Sequence, residues 1–253
     1  MTNRHPARVA RRGLHRDVVD ALGFRIVDGE FAPGTSLPNE LLLSTELSVS
    51  RTVVREAIKV LASKGLVESR PKTGTRVLTR DRWDVLDGDV LNWRLDVGVD
   101  VQFFRDLAEV RSLVEPRAAA LAAMRRTPDE LRSLDELLRG MRASGDDLAA
   151  YVEADLGLHL AILGAARNEL LNRLSGVVAA ALEAGRLLTP VPVRRAEVLP
   201  LHEEVVSAIR AGEAVAARAG MERLVRTAAE TVERLLGEAS VPPSPGRSSI
   251  ATR

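Results

Sequence analysis

The chain has 253 residues, of which 28% are charged and 45% hydrophobic, a balance typical of folded globular proteins. It contains no cysteine, which excludes disulfides, thiolate metal sites and a cysteine nucleophile. No uninterrupted apolar run approaches the roughly 20 residues that span a bilayer. The basic N-terminus has no apolar segment after it, as a secretory signal would. We therefore expect a cytoplasmic protein with no membrane partner.

Charge is distributed unevenly along the chain. Residues 1–82 hold 15 Lys and Arg against 9 Asp and Glu, whereas residues 83–253 hold 21 against 26. A basic first part suggests an anionic partner, such as nucleic acid, for that part alone. Ordinary scatter of charge is the alternative interpretation.

The first 80 residues combine short helical patterns with turn residues. The predicted elements are helices over 15–29, 39–47 and 50–64, followed by strands over 66–71 and 75–79. Ser50 is a suitable N-cap for the third helix, and Gly65 a suitable end for it. Two helices joined by a tight turn and followed by a hairpin predict a winged helix-turn-helix domain over residues 1–80.

The remainder of the chain follows a helical period. Residues 81–99 form an amphipathic linker flanked by Trp83 and Trp93, for which hydrophobic packing is the simplest role. The predicted helices beyond it lie over 101–124, 128–143, 146–165, 168–188, 194–211 and 213–236. The fold class is thus mainly α, with an all-α bundle of six or seven helices over residues 100–237. Residues 238–253 are rich in Pro and Ser and are predicted to be a disordered tail.

The predicted third helix carries a cationic stripe. Arg51, Arg55 and Lys59 follow one another at intervals of four residues, away from an apolar face that includes Val54 and Ile58. A helix that packs on one side and presents arginines on the other can enter the major groove, where arginine pairs with guanine. The alternative is a solvated face whose cations pair with neighbours such as Glu56.

The predicted hairpin adds a second cationic element. Arg70, Lys72 and Arg76 surround a tip at which Gly74 allows the backbone to approach a phosphate or the minor groove. A plain surface turn is the alternative. Together with the helix, the hairpin favours DNA binding.

Residues 36–77, SLPNELLLSTELSVSRTVVREAIKVLASKGLVESRPKTGTRV, resemble the DNA-binding signature of the GntR family of bacterial regulators. The resemblance covers Ser50-Arg51-Thr52, the run from Val54 to Ala57, and Gly74-Thr75. It departs from the family at Leu41, where a basic residue is common, and at Lys72, where glycine is common. The implied DNA-contacting residues are Ser50, Arg51, Thr52, Arg55, Lys59, Arg70, Lys72, Thr73 and Gly74.

Polar residues also occupy core positions of the predicted bundle. Asp155 and His159 lie one helical turn apart on an otherwise apolar stripe, and His202 lies on another. Arg111 fits the stripe of Leu107 and its neighbours, although a competing register exists. Buried polar groups need partners, so they must meet one another, a metal ion or a ligand. A buried ion pair that only fixes the packing is the alternative.

The helical region resembles the FCD effector domain of FadR-like GntR regulators, in the motifs around Arg111, Asp155-x-x-x-His159, Asn168 and His202. The resemblance implies an effector site of Arg111, Asp155, His159, Asn168 and His202, with Arg111 pairing a carboxylate. For Asn168, a helix cap is at least as good an interpretation.

The same resemblance implies a divalent metal ion bound by one carboxylate and three imidazoles. Asp155, His159 and His202 match three of these ligands. By register, the last imidazole falls at Leu224. Three protein ligands can still hold Zn²⁺ or a similar ion, because open sites use three.

These patterns predict a homodimeric regulator, in particular a repressor, that binds double-stranded DNA at a palindromic operator and is released by a small carboxylate metabolite. The linker segment DRWDVLDGDVLNWRL resembles regulators of sugar-acid catabolism, so a sugar acid is the first candidate effector and a hydroxy acid the next. A non-specific chromosome-organising protein is the main alternative. A metal-dependent hydrolase is disfavoured because no general base or nucleophile motif accompanies the polar cluster, and we predict no catalytic residues.

Overall fold

The computed structural model describes residues 6–70, 74–189 and 191–239, which fold into two compact units. Among these residues, the first unit extends to Phe103 and includes Arg173–Ala180, and the second contains the remainder. Helices predominate, and the two named strands lie in the first unit. The predicted fold class, a winged helix-turn-helix with an all-α bundle, is confirmed. Of the disordered tail predicted over residues 238–253, the first two residues belong to a helix that ends at Ala239, which corrects the predicted boundary, and residues 240–253 lie outside the described residues.

The first unit follows the predicted order of elements. Its helices and strands are α1 (Pro6–Asp28), α2 (Glu40–Glu46), α3 (Arg51–Ser63), β1 (Val67–Arg70), β2 (Gly74–Val77), a 3₁₀ turn (Arg80–Arg82) and α4 (Gly88–Val97). Ser50 caps α3, because its hydroxyl accepts a hydrogen bond from the Val53 N–H at 3.4 Å. Between α2 and α3, Ser48 takes a positive φ of 54°, which makes the tight turn between the two helices.

One hydrophobic core holds the first unit together. It is built from the faces that the helical period predicts on α1 and α3, and from residues of the strands and of the segment after them. Its members include Val18, Val19, Leu22, Ile26, Val27, Leu43, Val54, Ala57, Ile58, Leu61, Val67, Val77, Trp83, Val90 and Trp93. Burying this apolar surface fixes α3 with its opposite face outward, which is what a groove-reading helix requires.

The hairpin is antiparallel, with Val67 opposite Val77 and Arg70 opposite Gly74. A third extended segment pairs with β2, since the Leu37 N–H donates to the Thr75 carbonyl at 2.8 Å. The sequence of residues 31–38, FAPGTSLP, instead predicts a turn, from its Pro-Gly pair and second proline. The added pairing supports the hairpin from its base, so β2 is not an open edge over its whole length.

The predicted linker contains a helix that sequence reasoning missed. Asp87 caps α4 by accepting hydrogen bonds from the N–H groups of Asp89 and Val90. Trp93 on α4 is buried, and its indole N–H donates to the Asp20 carboxylate on α1 at 3.2 Å. Helix α4 is therefore part of the first unit.

The second unit contains seven helices among its described residues, three of which extend beyond it. They are α5 (Val101–Arg125), α6 (Pro128–Ala143), α7 (Leu148–Ala165), α8 (Glu169–Arg173), α9 (Ser175–Leu188), α10 (Val191–Ala211) and α11 (Ala214–Ala239). The helix predicted over 168–188 is divided into α8 and α9. The other boundaries agree with prediction to within about three residues.

Helix α7 is long and apolar enough to cross a membrane by length and composition. It nevertheless contributes Tyr151, Leu158 and Ile162 to the core and carries two buried polar residues, Asp155 and His159. We interpret it as a core helix.

The arginines at 125–126 and 194–195 lie at predicted helix ends, where we expect solvated side chains. Arg125 is exposed and Arg126 and Arg195 are half-buried, and these three guanidinium groups also donate to backbone carbonyls. The Arg125 guanidinium donates to the Ala166 carbonyl at 2.9 Å, and that of Arg126 to the Arg210 carbonyl at 2.8 Å. Arg195 donates to the Gly145 carbonyl, while the side chain of Arg194 lies outside the described part. The first two arginines satisfy carbonyls at helix C-termini, which have no partner within their own helices.

Candidate functional site

The cationic stripe of α3 is exposed as predicted. Arg51, Arg55 and Lys59 all face solvent, whereas Val54 and Ile58 on the same helix are buried. Thr52 is exposed in the first turn, next to the Ser50 cap. The first turn of a recognition helix is the part that enters the major groove, and its free N–H groups favour an anion.

Two cations of the stripe have carboxylate partners. Arg55 makes two parallel hydrogen bonds to Glu40 at the start of α2, at 3.0 and 2.7 Å. The hydrogen bond with Arg55 lowers the pKa of Glu40, so this carboxylate is ionised at neutral pH. Lys59 pairs with Glu56 at 2.8 Å, as the alternative interpretation of the stripe anticipated. The pair with Glu40 fixes the direction of the Arg55 guanidinium.

A groove of about 610 Å³ lies between α2, α3 and β2. Arg51, Leu41, Gly74 and Thr75 are among the residues that line it. Leu41, where the family often has a cation, is 58% exposed there. This groove brings the start of the recognition helix and the tip end of β2 together in one surface.

The hairpin cations are only partly described. Arg70 is exposed and pairs with Glu68 at 2.6 Å, and Gly74 has a φ of 88°, a conformation that favours glycine. Lys72 and Thr73 lie outside the described residues. The roles of all the named residues in DNA contact remain predictions.

The second unit contains a buried polar cluster, which we define as Arg111 and Glu115 of α5, Asp155 and His159 of α7, and His202 of α10. Their exposed fractions run from 1% for Glu115 to 7% for Arg111. The structure thus brings together four of the five predicted effector residues and adds Glu115.

The spacing of three of these side chains matches a metal site. His202 Nε2 lies 3.2 Å from His159 Nε2 and 3.0 Å from Asp155 Oδ1, and His159 Nε2 lies 3.8 Å from the same oxygen. In a tetrahedral zinc site with bonds of 2.0–2.1 Å, ligand atoms are about 3.3 Å apart. The donor set of two imidazoles and a carboxylate also suits Zn²⁺.

Partners on the far side of each ring orient the two imidazoles. His202 Nδ1 lies 2.9 Å from the Val198 carbonyl, to which it donates. His159 Nδ1 contacts the Glu115 carboxylate. With hydrogens on both Nδ1 atoms, both Nε2 lone pairs face the point shared with Asp155. Metal-binding histidines are commonly fixed in this way.

Sequence reasoning missed the role of Glu115. Burial alone raises the pKa of this carboxyl group, but Arg111 and His159 outweigh that effect and hold the pKa at about 2. One oxygen contacts Arg111 Nε and the other His159 Nδ1. The available signal was the interval of four residues between Arg111 and Glu115, which predicts a pair on one face of a helix.

The two remaining predicted positions have different surroundings. Asn168 accepts hydrogen bonds from the N–H groups of Leu170 and Leu171, both at 3.1 Å, and so caps α8. This agrees with the alternative interpretation, and an effector role for Asn168 remains a prediction. Leu224 is buried in α11 and offers no metal ligand.

Arg111 also lines a small cavity in the second unit, with walls that include Phe104, Ala181, Val225 and Val232. Its volume of about 10 Å³ is close to the minimum for one water molecule. An organic acid at this guanidinium therefore requires the surrounding helices to separate.

The first unit is a winged helix-turn-helix with a cationic recognition helix, and the second is a helical unit that buries a polar cluster. Together they define a bacterial transcription regulator of two parts. Sequence profiles agree with this class. Residues 14–77 match the bacterial regulatory proteins of the gntR family, and residues 106–227 match the FCD domain.

The curated relatives that the chain matches over most of its length are also transcription regulators. The chain is 39% identical over 158 residues to the galactonate operon transcriptional repressor of Escherichia coli, covering 62% of this chain and 69% of that protein. It is 32% identical over 205 residues to the regulator LutR of Bacillus subtilis, covering 78% and 90%. A solved structure of Lar, which controls expression of the Listeria monocytogenes agr system, has the same fold. Its TM-score is 0.60 at 21% identity, over 87% of this chain and 97% of that one.

The chain belongs to the GntR family of bacterial transcription regulators and carries an FCD domain. The matching family profile describes bacterial regulatory proteins, and the relatives are transcription regulators. The protein is therefore a DNA-binding regulator and not an enzyme.

Proposed function

We propose that the protein is a cytoplasmic repressor that binds a near-palindromic operator as a homodimer and is released by a sugar acid. DNA binding is assigned to residues 1–80 and effector binding to residues 100–237, joined by residues 81–99. The observation that carries the effector assignment is the buried polar cluster, in which a guanidinium, two imidazoles and two carboxylates converge.

The DNA-binding part of the proposal is supported by the surface of the first unit. Arg51 and Arg55 project from the exposed face of α3, and Gly74 stands at the start of β2 beside the same groove. One winged domain for each half-site fits a palindromic operator, because a two-fold dimer presents two equivalent recognition helices.

The effector part of the proposal includes a divalent metal ion. Asp155, His159 and His202 would hold it, and a bound ion supplies a positive centre for an anionic ligand. Three protein ligands leave a coordination position for a carboxylate oxygen of the effector. Arg111 can meet the same ligand through a second pair of hydrogen bonds.

The choice of a sugar acid rests on two arguments. The cluster offers two sites for oxygen anions, the guanidinium and the metal ion, which suits a carboxylate with a neighbouring hydroxyl group. In addition, one relative is named as the galactonate operon repressor, and its matching region covers 62% of this chain.

Release of DNA requires that the effector favour one arrangement of the protein over the other. A shift from mostly bound to mostly free operator needs about a 10⁴-fold difference in effector affinity between the two arrangements. Because the cavity beside Arg111 is small, the effector-bound arrangement must differ in the packing of the helices around it.

A thermal-shift screen of organic and sugar acids, each with and without Zn²⁺, tests the proposal, because a ligand of the folded state raises its melting temperature. The matched control is Arg117→Ala, an exposed arginine on the same helix as Arg111. We expect a sugar acid to stabilise the wild type and Arg117→Ala, and to fail with Arg111→Ala.

The operator is then found by selection from random DNA, and fluorescence anisotropy measures release. A sugar acid that stabilises the wild type should also release its operator. If it releases the Arg111→Ala variant equally well, the effector site lies elsewhere. Selection of no preferred sequence, with binding that depends on salt alone, would instead support a chromosome-organising protein.

A further inference from the structure

Glu115 joins the two parts of the buried polar cluster. One of its carboxylate oxygens contacts Nε of Arg111, one turn away on α5, and the other contacts Nδ1 of His159 on α7. The side chain is 2% exposed, so water does not compete for these contacts. A single carboxylate therefore contacts both the proposed anion-binding group and a proposed metal ligand.

The contact with His159 determines which ring nitrogen carries the hydrogen. An ionised carboxylate only accepts hydrogen bonds, so Nδ1 of His159 must be the donor. The lone pair of the neutral ring is then on Nε2, which faces Asp155 and His202. Without this acceptor, the ring can carry its hydrogen on Nε2, where it blocks coordination.

The contact with Arg111 determines which edge of the guanidinium is available. Glu115 uses the Nε–H group, and the Nη N–H groups on the outer edge remain for a ligand. This edge can bind both oxygens of a carboxylate. Arg111 in turn places a positive charge against the Glu115 carboxylate in the core.

We propose that Glu115 is a positioning residue that couples effector capture to metal binding, by holding His159 in its metal-ligating tautomer and directing the outer edge of Arg111 toward the ligand. The inference rests on the proposed function, because it assigns Glu115 to the site of the metal ion and the effector. Glu115 itself touches neither of them.

The first test is a titration of the full-length metal-free protein with Co²⁺, followed by visible absorption. Glu115→Gln keeps the shape of the side chain, but it replaces one of the two accepting oxygens by an NH2 group, which cannot accept from the donor that faces it. Loss of such an outer partner commonly weakens metal binding by about 10- to 100-fold. Glu109→Gln, an exposed change on the same helix, is the matched control and should match the wild type.

A loss of less than twofold in Glu115→Gln would overturn the inference. If that variant does not fold, the double variant Arg111→Gln and Glu115→Gln removes both charges of the pair and leaves no unpaired ion in the core. We expect the double variant to show the same loss of Co²⁺ affinity, and wild-type affinity in it would also overturn the inference.

The second test is the ¹⁵N spectrum of the histidine rings in the metal-free protein, which is simple because the chain has four histidines. Replacement of His159 and of His202 by Asn assigns the two buried rings. We expect hydrogen on Nδ1 of His159 in the wild type and a shift toward hydrogen on Nε2 in Glu115→Gln. A merely structural role for Glu115 would lower the melting temperature and leave this tautomer unchanged.

The two tests separate failure of the inference from failure of the proposed function. If the wild type and Asp155→Asn bind Co²⁺ equally weakly, the proposed metal site is wrong. The tautomer measurement then still decides the role of Glu115. If Asp155→Asn loses binding and Glu115→Gln does not, the metal site stands and the inference is wrong.

Discussion

Replacement of Gly23 by alanine should loosen the packing of α4 on α1. Gly23 lies on α1 beneath the Trp93 ring, and an added Cβ would lie 2.5, 2.5 and 2.6 Å from three carbons of that ring. Ordinary carbon contacts are about 3.5–4.0 Å, so the indole must move by about 1 Å. Trp93 is 3% exposed and its N–H is bound to Asp20, so the ring has little room to yield.

The expected cost follows from two opposing effects. Overpacking a core costs about 1–3 kcal/mol, whereas alanine in place of a helical glycine gains about 0.5–1 kcal/mol. We expect a net loss of about 1–2 kcal/mol, and each kcal/mol lowers the melting temperature of a unit of about 100 residues by about 4–8 °C.

The matched control is Gly13→Ala on the same helix, where no described atom beyond the adjoining residues and the helix's own backbone lies within 4 Å of the added Cβ. This change should stabilise the protein slightly through helix propensity alone. Thermal unfolding followed by circular dichroism and by Trp fluorescence measures both variants. Equal melting temperatures for the two variants would contradict the close contact between Gly23 of α1 and Trp93 of α4.

Three further predictions concern single residues. Glu40→Gln should reduce the preference for operator over random DNA by about tenfold, because Arg55 loses the partner that orients it toward a base; anisotropy titrations with both DNAs measure this ratio. Lys64→Met should lower the free energy of unfolding by about 1–3 kcal/mol at neutral pH. Burial opposes ionisation of Asp89, but hydrogen bonds with Lys64 and Arg16 lower its pKa overall. The stabilisation by the Lys64–Asp89 ion pair should therefore be full above the ordinary pKa of 3.8 and be lost as the pH falls below it, and urea titrations at several pH values measure this change. Leu224→His should tighten Co²⁺ binding by about tenfold or more by restoring a ligand, and unchanged affinity would show that position 224 does not face the site.

The parts of the fold that the sequence predicts are those that local patterns determine. The apolar face of α1, with Val18, Leu22 and Ile26, and the cap at Ser50 depend on spacing within one turn or two. The boundary between α8 and α9 is a different case. Asn168 predicts a cap, but the break near Leu174 is marked only by Ser175 and the single Gly176, and helices tolerate an isolated glycine, so the helical period alone predicts one helix.

The elements that sequence reasoning missed depend on distant partners. Helix α4 has Trp and Leu on several faces, and its burial is decided by contact with Gly23 and Asp20, about 70 residues earlier. The extended segment at Leu37 gains its hydrogen bonds only from β2, which follows it by nearly 40 residues. A sequence window of 10 to 20 residues contains neither partner.

The candidate site likewise combines features that local spacing predicts with contacts that depend on distant residues. Spacing places Asp155 and His159 on one face of α7, and it correctly indicates that buried polar groups need partners. Spacing cannot decide which partners they meet, because Glu115 and His202 come from other helices. The buried ion pair that forms is between Arg111 and Glu115 on one helix, a pair that the spacing of Asp155, His159 and His202 does not indicate.

The charges of the buried polar cluster support a cation at its centre. With both imidazoles neutral, its two carboxylates outnumber the single guanidinium by one negative charge, and an uncompensated buried charge costs several kcal/mol. The two Nε2 lone pairs at 3.2 Å also repel each other unless a positive group lies between them. A metal ion satisfies both conditions, and so does a proton shared by the two rings. ¹⁵N spectra of the protein as purified, compared with those of the metal-free protein, distinguish these cases, because an ion leaves each Nε2 without hydrogen and a shared proton does not.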